Sequence, residues 1–332
     1  MARNDRIFYA VQSVAIVPEG NAITVDAIAR GVQSVGLNAN FTLDQVFETG
    51  NLDIYANIED VADVEVTLEK VIDGHPLLFS MASNNLCRTN LVAASKAKSD
   101  VYLAVFQDTD TDASGSSPTN VCWNSGMYTS NVSYSYSVDG NATESITLVG
   151  NERFWNDTAN ETGETANGNW SSSYDPWTAD AAPQSGVVRR VDVDLSASTL
   201  PGIVKSQGGD KTGDNNFHVQ SISVSCDFGQ ENINELGRFG PYAKFTSFPI
   251  EVTCDFEVIA TSGDLQTVSG NGTNLVGEEI EIKDNSGTVL TLGTNNKLSS
   301  VSYSGADTGG GNATVSYSYT NFNSLLVHDS HS

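Results

Sequence analysis

Between residues 32 and 41 apolar and polar positions alternate. Val35, Leu37, Ala39 and Phe41 fall on one side, and Gly36, Asn38 and Asn40 on the other. A period of two marks a strand with one face buried. The alternation returns between 219 and 228, with Ile222, Val224, Cys226 and Phe228 against Ser223, Ser225 and Asp227. A second pair of strands is predicted at 64–72 and 250–259. There Val64, Val66 and Leu68 oppose Glu65, Thr67 and Glu69, while Ile250, Val252, Cys254 and Phe256 oppose Glu251, Thr253 and Asp255. Residues 6–17 read as a further strand ending at Pro18, and 77–81 and 101–106 are short apolar runs. Helical periodicity is weak apart from a short candidate near 93–97, so the class predicted is mainly β.

The two patterns are copies of one another. Residues 32–72 align with 219–259 without a gap and share Val-Gln-Ser, Phe41/Phe228, Glu48/Glu235, Gly50/Gly237, Tyr55-Ala56/Tyr242-Ala243 and Val71-Ile72/Val258-Ile259. Ten identities over 41 positions exceed the roughly two or three that average residue usage gives. An internal repeat decides the architecture before any local reading does. Glu65-Val66-Thr67 also matches Glu251-Val252-Thr253 one residue out of step, which predicts a β-bulge in one copy and sets Cys254 against Leu68. Further along, Val132–Ser137 reads Val-Ser-Tyr-Ser-Tyr-Ser and 315–320 reads Val-Ser-Tyr-Ser-Tyr-Thr, extending the match. The prediction is two tandem β domains, at 1–150 and 187–332, joined by a linker or insertion at 151–186. Residues 43–61 and their copy read as a short helix or loop; 107–127 and 150–186, rich in Gly, Ser, Asn, Asp and Thr, read as long loops.

Charge narrows the function. Acidic residues outnumber basic ones 41 to 16, a net charge of −25. Binding to a phosphate backbone requires Lys and Arg to displace counterions, so a nucleic-acid binder is disfavoured, whereas a conduit along which DNA slides is not. The four cysteines have no metal-ligand spacing and read as small buried apolar residues. No apolar run is long enough to cross a membrane as a helix, and no signal peptide is expected. Asp108, Asp110 and Asp112 open like a calcium loop, but Ala113 and Thr119 stand where Gly and an acid are needed. Gly208–Gly213 lacks P-loop spacing. Neither a catalytic constellation nor a cofactor or metal site is predicted. The residues singled out are Glu48, Gly50 and Tyr55 with Glu235, Gly237 and Tyr242. Their retention fits either a contact surface repeated in successive units or the local needs of a shared turn.

Val-Gln-Ser-Val at 32–35, the Glu-x-Gly turn, Val-Glu-Val-Thr-Leu-Glu-Lys-Val-Ile-Asp-Gly at 64–74 and the following His-Pro-Leu-Leu resemble tail tube, or major tail, proteins of tailed phages. The resemblance covers both copies but not the loops at 107–127 and 150–186. It implies mainly β, tail-tube-like β-barrel or sandwich domains with short flanking helices, and stacked rings through which genome DNA passes without specific binding. Rings of six single domains would here become homotrimers with pseudo-sixfold symmetry. The implied partners are the chain itself and other tail proteins, and the implied place is the virion tail, assembled in the host cytoplasm. Glu48, Gly50, Tyr55, Glu235, Gly237 and Tyr242 become candidate ring or stacking contacts. The alternatives are a tail terminator, baseplate hub or decoration protein, or a surface adhesin or carbohydrate-binding module suggested by the Ser-, Thr-, Asn- and Trp-rich loops.

Overall fold

The computed structural model describes residues 7–106, 118–156, 184–208, 217–271, 275–306, 308 and 310–329. The first half contains β1 (Gln12–Pro18), β2 (Val32–Asn40), β3 (Leu43–Phe47), β4 (Ile54–Glu59), β5 (Asp63–Val71), α1 (Leu78–Ala82), α2 (Leu91–Ala94), β6 (Lys98–Val105), β7 (Asn120–Ser137), β8 (Thr143–Gly150) and β9 (Glu152–Trp155). The second contains α3 (Gly202–Ser206), β10 (Val219–Asp227), β11 (Gln230–Ile233), β12 (Ala243–Thr246), β13 (Glu251–Ile259), β14 (Glu278–Lys283), β15 (Val289–Ser304), β16 (Thr314–Phe322) and β17 (Leu326–His328). The fold is mainly β, as the alternation predicts.

Thirteen strands form one antiparallel sheet along the path β14-β15-β16-β13-β10-β7-β8-β5-β2, with β1, β6, β9 and β17 attached at its sides. The two halves therefore share a sheet, and β10 of the second lies directly against β7 of the first. Strand pairing is the same in each half apart from β1, which pairs β6 in the first. The order β2-β5-β8-β7 corresponds to β10-β13-β16-β15, and β6 and β9 flank β7 as β14 and β17 flank β15. A closed barrel is not formed by one chain. Among the described residues no strand pairs the far side of β2 or of residues 297–304 in β15.

Register corrects four expectations. Val35 faces Leu68 and Ile222 faces Phe256, so Leu68 corresponds to Phe256, and Val66 rather than Leu68 corresponds to Cys254. The sequence match there slips by two residues, which keeps every side chain on its face and so leaves the hydrophobic pattern intact. The bulge lies elsewhere and in both copies, where the register shifts between Val32 and Ser34 and between Val219 and Ser221. The Tyr-rich run at 315–320 lies on β16, the counterpart of β8. The counterpart of Val132-Ser133-Tyr134-Ser135 is Val301-Ser302-Tyr303-Ser304, because Tyr134 faces Glu144 as Tyr303 faces Val315. Finally, residues 43–61 and their copy are hairpins, β3–β4 and β11–β12, not helices or loops. Ile54, Tyr55 and Ile58 favour extended backbone, and Asn51, which accepts from the Asp53 N–H, helps close the turn. Of the segment at 107–127, residues 120–127 belong to β7, and of 150–186, residues 152–155 form β9.

One face of the sheet is apolar apart from a few buried polar side chains, among them the pair Lys70 and Glu144. Its side chains form a single cluster reaching from Val64, Leu68 and Ile146 through Val132, Val224 and Cys226 to Phe256, Tyr317 and Tyr319, with α1, α2 and α3 contributing Leu78, Leu91 and Val204. A smaller cluster around Trp123 and Tyr102, whose rings stack at 6.0 Å, joins β1, β6 and β7. All four cysteines are buried and unpaired, and burial pushes the Cys87 and Cys122 thiols up to about 11.

The halves differ at one buried cross-strand pair. Lys70 faces Glu144 where the second half places Val258 opposite Val315. Lys70 Nζ lies 3.4 Å from Asp73 and donates to the Pro76 carbonyl at 2.9 Å. Glu144 accepts the first N–H groups of α1, from Leu78 at 2.6 Å and Phe79 at 3.0 Å, and the Tyr134 hydroxyl at 3.0 Å. Burial raises the Glu144 carboxyl above its ordinary pKa, against the pull of Lys70 and of these donors. Removing Glu144 leaves three buried donors without their acceptor and Lys70 with the Asp73 carboxylate as its counter-charge, at a cost of about 3–5 kcal/mol. Glu144→Val is predicted to lower stability by that amount in urea unfolding. Lys70→Val/Glu144→Val, which copies the second half, should recover part of the loss; a double variant no more stable than the single one would contradict the pairing.

Candidate assembly surface

Three surfaces remain once the core is assigned: the polar face of the sheet, its two open edges, and the two hairpin arms. The helices lie against the apolar face, so the opposite face carries the alternate side chains alone. At the junction of the halves it is a ladder of hydroxyls, with Ser221, Ser223 and Ser225 facing Ser137, Ser135 and Ser133. Outward on one side come Thr143, Ser145 and Thr147, then Glu65, Thr67 and Glu69; on the other come Thr253, Asp255 and Glu257, then Ser316, Ser318 and Thr320. None of these is buried. Ser34 donates to Glu69 as its counterpart Ser221 donates to Glu257, both at 3.4 Å, and Ser225 and Thr253 share a hydrogen bond of 2.7 Å. Across these central strands the polar face carries Asp and Glu but no Lys or Arg, so it repels rather than holds a phosphate chain.

The open edges are more exposed than their internal counterparts. Phe228 is buried (0%), within 5.7 Å of the Phe79 ring, while its copy Phe41 is 73% exposed. Tyr134 is buried (0%) and its copy Tyr303 is 52% exposed. Val35, Leu37 and Ala39 are half-buried, where Ile222, Val224 and Cys226 are buried. Unpaired, half-covered edges are the part of a sheet that natural proteins otherwise shield.

Each arm projects from the strand that opens its copy. Glu48 and Gly50 lie in the tip of β3–β4, where the Asn51 N–H donates to the Glu48 carbonyl, and Glu235 and Gly237 take the same places in β11–β12, with Arg238 donating to Glu235. Gly50 and Gly237 have φ of 93° and 87°, a conformation that only glycine adopts without strain. The retention of Gly thus has a local cause. Tyr55 is exposed on the return strand β4, and Tyr242 is exposed immediately before β12. The structure so brings the six predicted residues together as two equivalent sets of three. Around them Leu43, Phe47, Leu52, Ile54 and Ile58 on the first arm, and Ile233, Leu236, Phe239, Phe245 and Phe248 on the second, are also exposed. So many exposed apolar side chains on two projecting hairpins fit a contact site. Sequence reasoning passed over these apolar residues because an isolated exposed Leu or Phe carries no signal; the signal was their extended spacing on either side of the Glu-x-Gly turn.

The base of the second arm is docked on the first half. Gln230 donates to the carbonyls of Thr129 (2.9 Å) and Ser95 (3.3 Å), and Thr246 donates to Ser95 (3.3 Å). Lys244 approaches Asp63 at 3.8 Å, and burial lowers the pKa of its ammonium. At the equivalent places the first arm carries Leu43, Glu59 and Asn57.

No known family profile and no curated protein matches the chain. Among solved structures it is similar to a chain of the cryo-EM structure of the anti-feeding prophage (AFP) baseplate, 6-fold symmetrised, with 11% identity and a TM-score of 0.31 over 45% of this chain and 95% of that one. Asp108, Asp110, Asp112 and most of Gly208–Gly213 lie outside the described residues, and among the described residues no group of three His, Cys, Asp or Glu side chains is placed to hold a metal ion.

Leu52→Ser/Phe239→Ser, at equivalent places on the two arms, is predicted to leave the unfolding midpoint within about 1 kcal/mol of the parent and to reduce binding of a hydrophobic dye. A loss of several kcal/mol would mean that the arms pack on their own chain in solution.

Proposed function

We propose that this chain is a structural subunit of a phage tail, and specifically of its tube. One observation carries the reading: a single sheet runs through both halves with the described helices on one face, leaving on the other a hydroxyl-rich, acidic face whose central strands carry no Lys or Arg. Curved around an axis, that face lines a channel along which DNA moves without being gripped. Two equivalent halves per chain suit a homotrimeric ring with pseudo-sixfold symmetry. The arms, with Glu48, Gly50, Tyr55, Glu235, Gly237 and Tyr242, then supply contacts to the next ring or to other tail proteins. On this reading the protein resides in the virion tail, is assembled in the host cytoplasm, and has a mechanical rather than a catalytic role.

Negative-stain microscopy of the purified chain, followed by symmetry analysis, tests it. Hollow tubes built from rings of three chains are expected. Closed rings that never stack would move the assignment to a terminator or hub. Monomers at all concentrations would overturn it in favour of an adhesin-like module.

A further inference from the structure

The junction between the two halves is a template for a junction between two chains. Strand β7 is paired by β8 on one side and by β10 on the other; its counterpart β15, along residues 297–304, is paired among the described residues by β16 on one side alone. Strand β10 is paired by β13 and by β7; its counterpart β2 is paired, among the described residues, by β5 alone. The missing neighbour of each open edge is thus the other open edge. Both edges bear the mark of that absence in the exposure of Phe41 and Tyr303, whose copies Phe228 and Tyr134 are buried in the internal junction.

We infer that β2 of a second copy pairs antiparallel with residues 297–304 of β15, in the register that β10 takes on β7. The internal pairs Val224↔Tyr134, Ser225↔Ser133 and Cys226↔Val132 become Leu37 of the second copy opposite Tyr303, Asn38 opposite Ser302 and Ala39 opposite Val301. Phe228 donates its N–H to the Ser130 carbonyl at 2.9 Å; Phe41 of the second copy donates to the carbonyl of Ser299, the counterpart of Ser130. Antiparallel pairing satisfies the free backbone groups of both edges. Because the contact is head-to-tail, it repeats until the ring closes.

The two junctions are built alike but anchored differently. Inside the chain, Gln230 is held by the carbonyls of Thr129 and Ser95, the latter at the end of α2. Between chains, Leu43 replaces Gln230 and meets Leu298, the counterpart of Thr129. Among the described residues the second half has no helix between β13 and β14 to take the place of α2. A β10 strand arriving from another copy would leave the Gln230 amide without the Ser95 carbonyl, whereas β2 brings an apolar side chain to an apolar site. The open edge of β15 therefore selects β2 over β10, which keeps the halves alternating around the ring.

This inference rests on the ring reading and fixes its lateral contact. The test is disulfide trapping in the full chain, whose native cysteines are all buried. Directly opposed residues of an antiparallel pair lie within disulfide range. Asn38→Cys/Ser302→Cys is expected to cross-link between chains on mild oxidation, in a ladder that stops at three. The slipped pairs Asn38→Cys/Ser300→Cys and Asn38→Cys/Ser304→Cys should not. Phe41→Ala should weaken association by roughly tenfold with an unchanged unfolding midpoint. Three-chain rings that cross-link only through a slipped pair, or through neither, would overturn the register and leave the ring reading standing. A chain that stays monomeric would overturn both.

Discussion

The pairing of β7 with β10 is the constraint on which the rest of the molecule depends. It joins two copies of one β unit edge to edge, so their apolar faces become one core and their polar faces one surface. Had the halves folded as separate bodies, each would carry two open edges and a core of its own. Joined, they leave one open edge at each end of the shared sheet, and every alternating strand serves both sides of the same layer. The buried serine carbonyl contacts of Gln230 and Thr246 then fix the second arm at the junction.

Divergence between the copies follows from this asymmetry of neighbours. Positions that meet the internal junction are filled for burial: Phe228, Tyr134, Val224 and Cys226 have no solvent contact to speak of. Their copies at the open edges keep apolar character while remaining exposed, which is costly for a chain that stays alone and useful for one that assembles. The first half also holds charge in its core, with Lys70 and Glu144 where the second has two valines. That network ties β5 and β8 to the start of α1, an element that the described residues of the second half do not repeat at that point, so the difference tracks the helices rather than the sheet.

Much of this was legible in the sequence. Period-two alternation gave the strands and their buried faces, and the repeat gave two equivalent units. What escaped was register. A two-residue slip leaves inside and outside unchanged, so Glu65-Val66-Thr67 could be matched to the wrong residues without disturbing the pattern. The Tyr-rich run at 315–320 was matched to β7 because Ser and Tyr alternate on several neighbouring strands of the polar and apolar faces alike, and only pairing partners separate them. The arms were misjudged as helix or loop because their apolar residues face solvent, which removes the amphipathic signal on which strand recognition rests. The six residues of the Glu-x-Gly-Tyr sets fall at equivalent places on the two arms, and the glycines have a backbone reason to persist.

The most direct measurement of the central claim is amide hydrogen exchange resolved by residue, on the isolated chain and on the assembled particle. Amides of β7 and β10 at the junction should exchange through global unfolding in both states. Those on the outer side of β2 and of residues 299–304 should exchange quickly in the isolated chain and become protected on assembly. If β10 exchanged as fast as β2 in the isolated chain, the two copies would not share a sheet, and the account would be contradicted at its foundation.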